Sequence, residues 1–216
     1  MTGDAAIAKI LKAEGLDWFS CFPNHSLIDA CAREGLRPIL CRQERTGVNI
    51  ADGFSRIKNG KTIGVFMMQS GPGAENAFGG VAQAYADSVP ILLLPGGPPR
   101  SRQSIGLSFE STDHYGGVTK WVSNINSAAR IPEMMGRAFS LLKQGKPGPV
   151  MLEIPHDVGQ EEIPDEAFDY TPVKPLKSGA SPEDVRDLIA ALLKADCPVI
   201  SAGQGVLYAE ATKALV

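Results

Sequence analysis

Residues 62–94 read TIGVFMMQSGPGAENAFGGVAQAYADSVPILLL, and the fold is decided by their order of textures. An apolar run, Thr62 to Met68, gives way to a Gly, Ser and Pro loop. A small-residue stretch from Ala74 to Ala86 follows, then a second apolar run, Val89 to Leu94. Two short apolar runs flanking a segment of helical length make a βαβ unit, in which the crossover lays a helix on the sheet. Neither run alternates apolar with polar residues, which predicts strands buried on both faces, the mark of a parallel sheet.

The same cycle extends in both directions. Towards the N-terminus the pattern predicts a helix over Asp4–Glu14, stopped by Gly15, a strand over Leu16–Phe22 and a helix over Leu27–Glu34. A strand over Pro38–Arg42 and a helix over Glu44–Lys58 come next. Beyond Leu94, Pro95 to His114 reads as a long loop, and strands over Lys120–Ile125 and Pro149–Ile154 bracket a helix that begins near Pro132. The expected fold is α/β: a doubly wound parallel sheet of about six strands with helices on both faces, occupying residues 1–160. Residues 161–180, with Pro164, Pro172 and Pro175, read as a stiff linker. Residues 181–216 read as the truncated start of a second α/β domain, with a helix from Ser181 to about Ala195 and a strand over Pro198–Ala202.

Composition narrows the function. The 216 residues carry 21 Lys and Arg against 24 Asp and Glu, a net charge of −3, so there is no basic field for nucleic acid. The apolar runs fall well short of the ~20 residues that span a bilayer, and the charged first turns lack the apolar centre of an export signal. Cys21, Cys31, Cys41 and Cys197 match no zinc spacing and read as reduced thiols, which points to the cytoplasm. The three histidines, at 25, 114 and 156, give no metal-ligand spacing either, so no metal site is expected in this chain.

In a doubly wound sheet, ligands bind outside the carboxyl ends of the strands. Three loops stand there: Phe22-Pro23-Asn24-His25-Ser26, Arg42-Gln43-Glu44-Arg45-Thr46-Gly47, and Gln69-Ser70-Gly71-Pro72-Gly73-Ala74-Glu75-Asn76. From position alone, Glu44 is either an ordinary first-turn helix acid, favoured by the helix dipole, or a carboxyl that exchanges a proton with a ligand nitrogen. His25 is either a satisfied loop histidine or a proton shuttle beside a substrate. The glycines at 71 and 73 either cradle a phosphate or let a helix approach a strand. A dinucleotide fingerprint is disfavoured, because Asn76 stands where a third glycine belongs and Glu75 would repel a pyrophosphate. That argues against a nicotinamide oxidoreductase.

Taken in order, these segments resemble the pyrimidine-binding domain of thiamine-diphosphate enzymes of the acetolactate synthase and benzoylformate decarboxylase group. The resemblance rests on Phe22-Pro23, on Arg42-Gln43-Glu44-Arg45 with Ala51-Asp52-Gly53-Phe54-Ser55-Arg56, and on Ser70-Gly71-Pro72-Gly73-Ala74-Glu75-Asn76. It continues through Ala84-Tyr85-Ala86-Asp87-Ser88-Val89-Pro90-Ile91 to Gly148-Pro149-Val150-Met151-Leu152-Glu153-Ile154-Pro155. It implies that Glu44 is catalytic: a carboxyl bonded to N1′ of the aminopyrimidine favours the tautomer whose N4′ removes the thiazolium C2 proton. It further implies that Pro23, Gly73 and Asn76 line the pyrimidine pocket, and that His25, as a second catalytic residue, and Phe109 face a 2-oxo acid. Two positions depart from the synthase pattern, His25 in place of glycine and Glu110 in place of glutamine.

The resemblance also implies a decarboxylase or carboligase that works as a dimer or larger homo-oligomer. The cofactor diphosphate and Mg2+ would be held by another domain with a Gly-Asp-Gly sequence, which does not occur here. This chain alone would then be inactive. The competing expectation, from a different class, is a non-catalytic module that keeps the fold for subunit association or ligand sensing.

Overall fold

The computed structural model describes residues 1–23, 26–105, 109–176 and 178–216. Contacts divide the chain into two units, Met1–Pro175 and Leu176–Val216.

In the first unit, α1 (Gly3–Ala13), β1 (Trp18–Cys21), α2 (Ser26–Arg33), β2 (Arg37–Leu40), α3 (Glu44–Ile57), β3 (Gly64–Met68), α4 (Pro72–Ala86) and β4 (Ile91–Gly97) follow in strict alternation. After a long connection come α5 (Ser111–His114), β5 (Trp121–Asn124), α6 (Ile131–Lys143), β6 (Val150–Pro155) and α7 (His156–Gln160). The six strands form one sheet in the order β2-β1-β3-β4-β6-β5, and every pairing is parallel. This is the doubly wound α/β architecture expected from the sequence. Element ends shift by a few residues; β4 runs on through Pro95 to Gly97, and α5 and α7 are short helices that periodicity did not predict.

Apolar residues on alternate positions of the strands feed two cores. Phe19, Cys21, Val65, Met67, Leu92 and Leu94 pack under α1, α2 and α6. On the opposite face Phe66, Met68, Ile91, Leu93 and Met151 pack under α3 and α4. Strand side chains alternate between faces, so an all-apolar strand serves both cores at once. Burying this much apolar surface, at roughly 25 cal/mol per Å2, is what holds the layers together.

Helix α3 is fastened to the sheet by its buried face. Glu44, Gly47, Val48, Ala51, Asp52 and Ser55 are its buried residues, at helical spacing. A Cβ on Gly47 would fall 2.1 Å from Phe66 Cε2, and one on Gly64 would fall 2.0 Å from the Ala51 carbonyl oxygen, so helix and strand meet backbone to ring and backbone to backbone. Ser55 Oγ donates to the Pro90 carbonyl at 2.6 Å and accepts from the Gly64 amide at 2.8 Å. Ser20 Oγ on β1 donates to the Gly47 carbonyl at 2.7 Å.

Residues 161–175 belong to the first unit. Phe168, Tyr170 and Val173 pack against the α1 side of the core, and the Val173 amide donates to Glu14 at 2.9 Å. The second unit contains α8 (Pro182–Lys194), α9 (Gly205–Tyr208) and α10 (Thr212–Leu215). Ser181 caps α8 by accepting from the Glu183 amide at 3.3 Å. Pro198–Ala202 is not a strand in this structure. The sequence expectation there is corrected: a strand needs a neighbour for its backbone groups, and this segment pairs with none among the described residues. No described helix is long and apolar enough to cross a membrane.

Candidate functional site

The strand order reverses between β1 and β3: the chain leaves β1 for β2 on one side, then returns to build β3 on the other. A crevice opens at the carboxyl ends of strands flanking such a switch point. β1 delivers Phe22 and Pro23 there, β2 delivers Glu44 through the turn into α3, and β3 delivers Gln69 to Gly73.

Glu44 is the first residue of α3 and is only 5% exposed. Its place on the stripe that faces the sheet buries it, and the helix N-terminus offsets part of the cost of burying an anion. Asn76, in the second turn of α4, donates its amide to Glu44 Oε2. The two helices approach closely enough for this because α4 faces α3 with small residues; a Cβ on Gly80 would lie 3.1 Å from Val48.

The other carboxylate oxygen lies beside the first turn of α4. A Cβ on Gly73 would fall 3.5 Å from Glu44 Oε1 and 2.7 Å from Gln69 Cγ, so the glycine lets the carboxyl and the Gln69 side chain both press close to the helix backbone. Gly71 caps α4 with φ +59°, a left-handed backbone that favours glycine and turns the chain sharply from β3 into the helix. That turn keeps Gly73 next to Glu44. The glycine loop is therefore a close-approach device beside a carboxylate, a poor seat for a phosphate.

Behind Gln69 lies a cavity of about 250 Å3, lined by Asp4, Ser26, Gln69, Ser70, Gly97 and His156 among others. Phe109 stands on the loop before α5. It is half-buried, stacks on His114 with ring centroids 4.5 Å apart, and meets Tyr115 edge-on at 6.4 Å. Tyr115, fully buried, donates its hydroxyl to the Ala74 carbonyl at 2.6 Å and so ties this loop to the first turn of α4. Burial pushes the Tyr115 phenol well above its ordinary range, so it serves as a neutral donor.

The structure thus brings Glu44, Gly73 and Asn76 into contact. Pro23 is exposed on the loop after β1. His25 lies outside the described residues. Sequence reasoning assigned no role to Gln69, Tyr115 or Glu153. Gln69 had a signal, being the first residue after a strand at the switch point, and so had Glu153, a lone acid in a strand of apolar residues; Tyr115 had none.

Residues 1–123 match the family described as thiamine pyrophosphate enzyme, N-terminal TPP binding domain. The chain belongs to the thiamine pyrophosphate enzyme family. It is 34% identical over 229 residues to the probable acetolactate synthase large subunit of Methanocaldococcus jannaschii, covering 100% of this chain and 38% of that protein. It is also 34% identical over 184 residues to the glyoxylate carboligase of Escherichia coli O157:H7, covering 84% of this chain and 31% of that protein. The acetolactate synthase large subunit of Lactococcus lactis is 34% identical over 220 residues, 96% of this chain and 37% of that protein. The chain therefore spans about a third of the length of these curated relatives. The site's geometry is a buried carboxyl with one oxygen fixed by an amide and the other close to a glycine, at the carboxyl ends of the switch-point strands.

Proposed function

We propose that this chain supplies the aminopyrimidine-binding and activating half of a thiamine-diphosphate-dependent 2-oxo acid decarboxylase or carboligase. The observation that carries the reading is the buried Glu44 carboxyl, held through one oxygen by Asn76 and lying beside Gly73 through the other. When bound, the cofactor supplies an electron sink for breaking or making a bond at a carbonyl carbon. The residues of this chain prepare it. Glu44 shares a proton with the ring nitrogen N1′, Asn76 fixes the carboxyl rotamer so that this bond points one way, and Gly73 admits the flat ring edge.

Pro23 lines the ring pocket on the β1 side, Phe109 faces the 2-oxo acid, and His25 serves as the second catalytic residue. Mg2+ and the diphosphate belong to a further domain, contributed by a second subunit in a homo-oligomer of at least two chains. Buried, unbridged Cys21, Cys31 and Cys41 support a reducing, cytoplasmic setting; burial above all pushes the Cys21 thiol up to about 11, which keeps it unreactive.

The test is Glu44→Gln in the full-length enzyme. General acid–base assistance is typically worth ~10²–10⁴ in rate, so turnover of the 2-oxo acid should fall by that factor while the variant stays folded and oligomeric. Wild-type turnover in the variant would overturn the reading.

A further inference from the structure

Phe109 stands on the long connection between β4 and α5, and a side chain on a loop holds one position only if something anchors it. Two residues on, Ser111 opens α5 and is 1% exposed; its hydroxyl donates to Glu153 Oε2. Glu153 projects from β6 and is 6% exposed. Its other oxygen accepts from Asn124 Nδ2 on β5 at 2.9 Å. On β4, a Cβ on Gly97 would fall 2.9 Å from Glu153 Cγ, so the strand backbone presses directly on this side chain. The carboxyl thus joins β4, β5 and β6 to the first residue of α5. Glu110, between Phe109 and Ser111, closes the loop on itself by accepting from the Ser104 amide at 2.8 Å.

Among the described residues no cation pairs with Glu153. A buried carboxyl without a counter-ion is a poor stabiliser, and an apolar residue would fill the site at lower cost. Its use lies in what it grips. We propose that Glu153 is a positioning residue for the substrate wall: through Ser111 it fixes the start of α5, and with it Phe109. The role assigned to the wall rests on the function proposed above.

The experiment compares Ser111→Ala, Glu153→Gln and the double variant in the full-length enzyme, reading steady-state kinetics, thiamine diphosphate affinity and amide hydrogen exchange over residues 109–115. Loss of a buried, charge-assisted hydrogen bond should speed exchange in that segment about tenfold in Ser111→Ala. KM for the 2-oxo acid should rise by about the same factor, with kcat and cofactor Kd within about twofold. Glu153→Gln keeps an acceptor for the Ser111 hydroxyl, and its amide can donate to Asn124 Oδ1, now buried without a partner. It should therefore retain most of the function, and the double variant should be no worse than Ser111→Ala alone, as expected of residues that act through one contact.

Wild-type exchange and KM in Ser111→Ala, or a double variant clearly worse than Ser111→Ala alone, would overturn the proposal. If the wild-type enzyme neither binds thiamine diphosphate nor consumes a 2-oxo acid, the proposed function falls. Exchange over 109–115 then decides the grip by itself: faster in Ser111→Ala upholds it, and unchanged refutes it.

Discussion

Asn76 donates its side-chain amide to Glu44 across the seam between α4 and α3, joining residues 32 positions apart in the chain. One is the first residue of its helix and the other lies in the second turn of its own. Both helices spring from strand ends on the same edge of the sheet, and both carry small residues on their facing sides. The hydrogen bond therefore depends on the packing of two helices on one sheet face, and it selects one orientation of a buried carboxyl.

Removing that amide should loosen the carboxyl without removing it. Hydrogen bonds to charged groups contribute about 1.5–3 kcal/mol, so Asn76→Ala should lower kcat/KM of the full-length enzyme by roughly 10- to 100-fold. Steady-state kinetics checks this, and a loss equal to that of Glu44→Gln would show that Asn76 does more than orient its partner.

Gly73→Ala should act on the cofactor. Its Cβ would sit 2.7 Å from Gln69 Cγ and 3.5 Å from Glu44 Oε1. The Gln69 side chain can move aside, so the fold survives, but the methyl crowds Glu44 Oε1, where the proposed function puts the ring. Thiamine diphosphate should bind about tenfold more weakly, roughly 1.4 kcal/mol, as measured by titrating the apoenzyme. Unchanged affinity would place the ring elsewhere.

Gly64→Ala should act on the fold. A Cβ there meets the Ala51 carbonyl oxygen at 2.0 Å, a backbone atom of α3 that cannot step aside. Overpacking of this kind typically costs about 1–3 kcal/mol, and it would push α3, with Glu44 at its head, off the sheet. Thermal melting should show the loss, accompanied by reduced turnover.

The pH dependence of stability should carry a signature of Glu153. Burial, reinforced by the Glu110 and Asp113 carboxylates, pushes its carboxyl above the ordinary range against the lowering effect of Ser111 and Asn124. The folded chain thus binds this proton more tightly than the unfolded chain, whose glutamates titrate near ~4.3. The stability so contributed is whole below that value and is lost as pH rises through the raised folded-state value. Denaturation of wild type and Glu153→Gln should show wild type losing ground as pH increases from about 4 towards neutrality. A constant gap between them would count against the raised value.

The chain pattern alone determined the α/β class, the parallel sheet and the placement of Glu44, Gly73 and Asn76 in or just after the loops that follow strands, because apolar runs, glycine stops and helical spacing are local properties. Glu44 also shares the 3.6-residue stripe of Gly47, Val48, Ala51 and Ser55, so its burial was legible too. What the chain pattern left open was whether Glu44 is an ordinary helix acid or a functional one, and the family resemblance inclined that choice. Only the tertiary structure showed that Asn76 reaches Glu44, that Gly73 lies against it, and that Glu153 holds Ser111, two residues after Phe109. Such contacts join residues 29 to 42 positions apart. They depend on which strands become neighbours and how near two helices can approach, quantities set by packing across the whole sheet and by no single stretch of chain. The Pro198–Ala202 segment makes the same point from the other side: its composition suits a strand, but a strand exists only where a neighbour completes its hydrogen bonds.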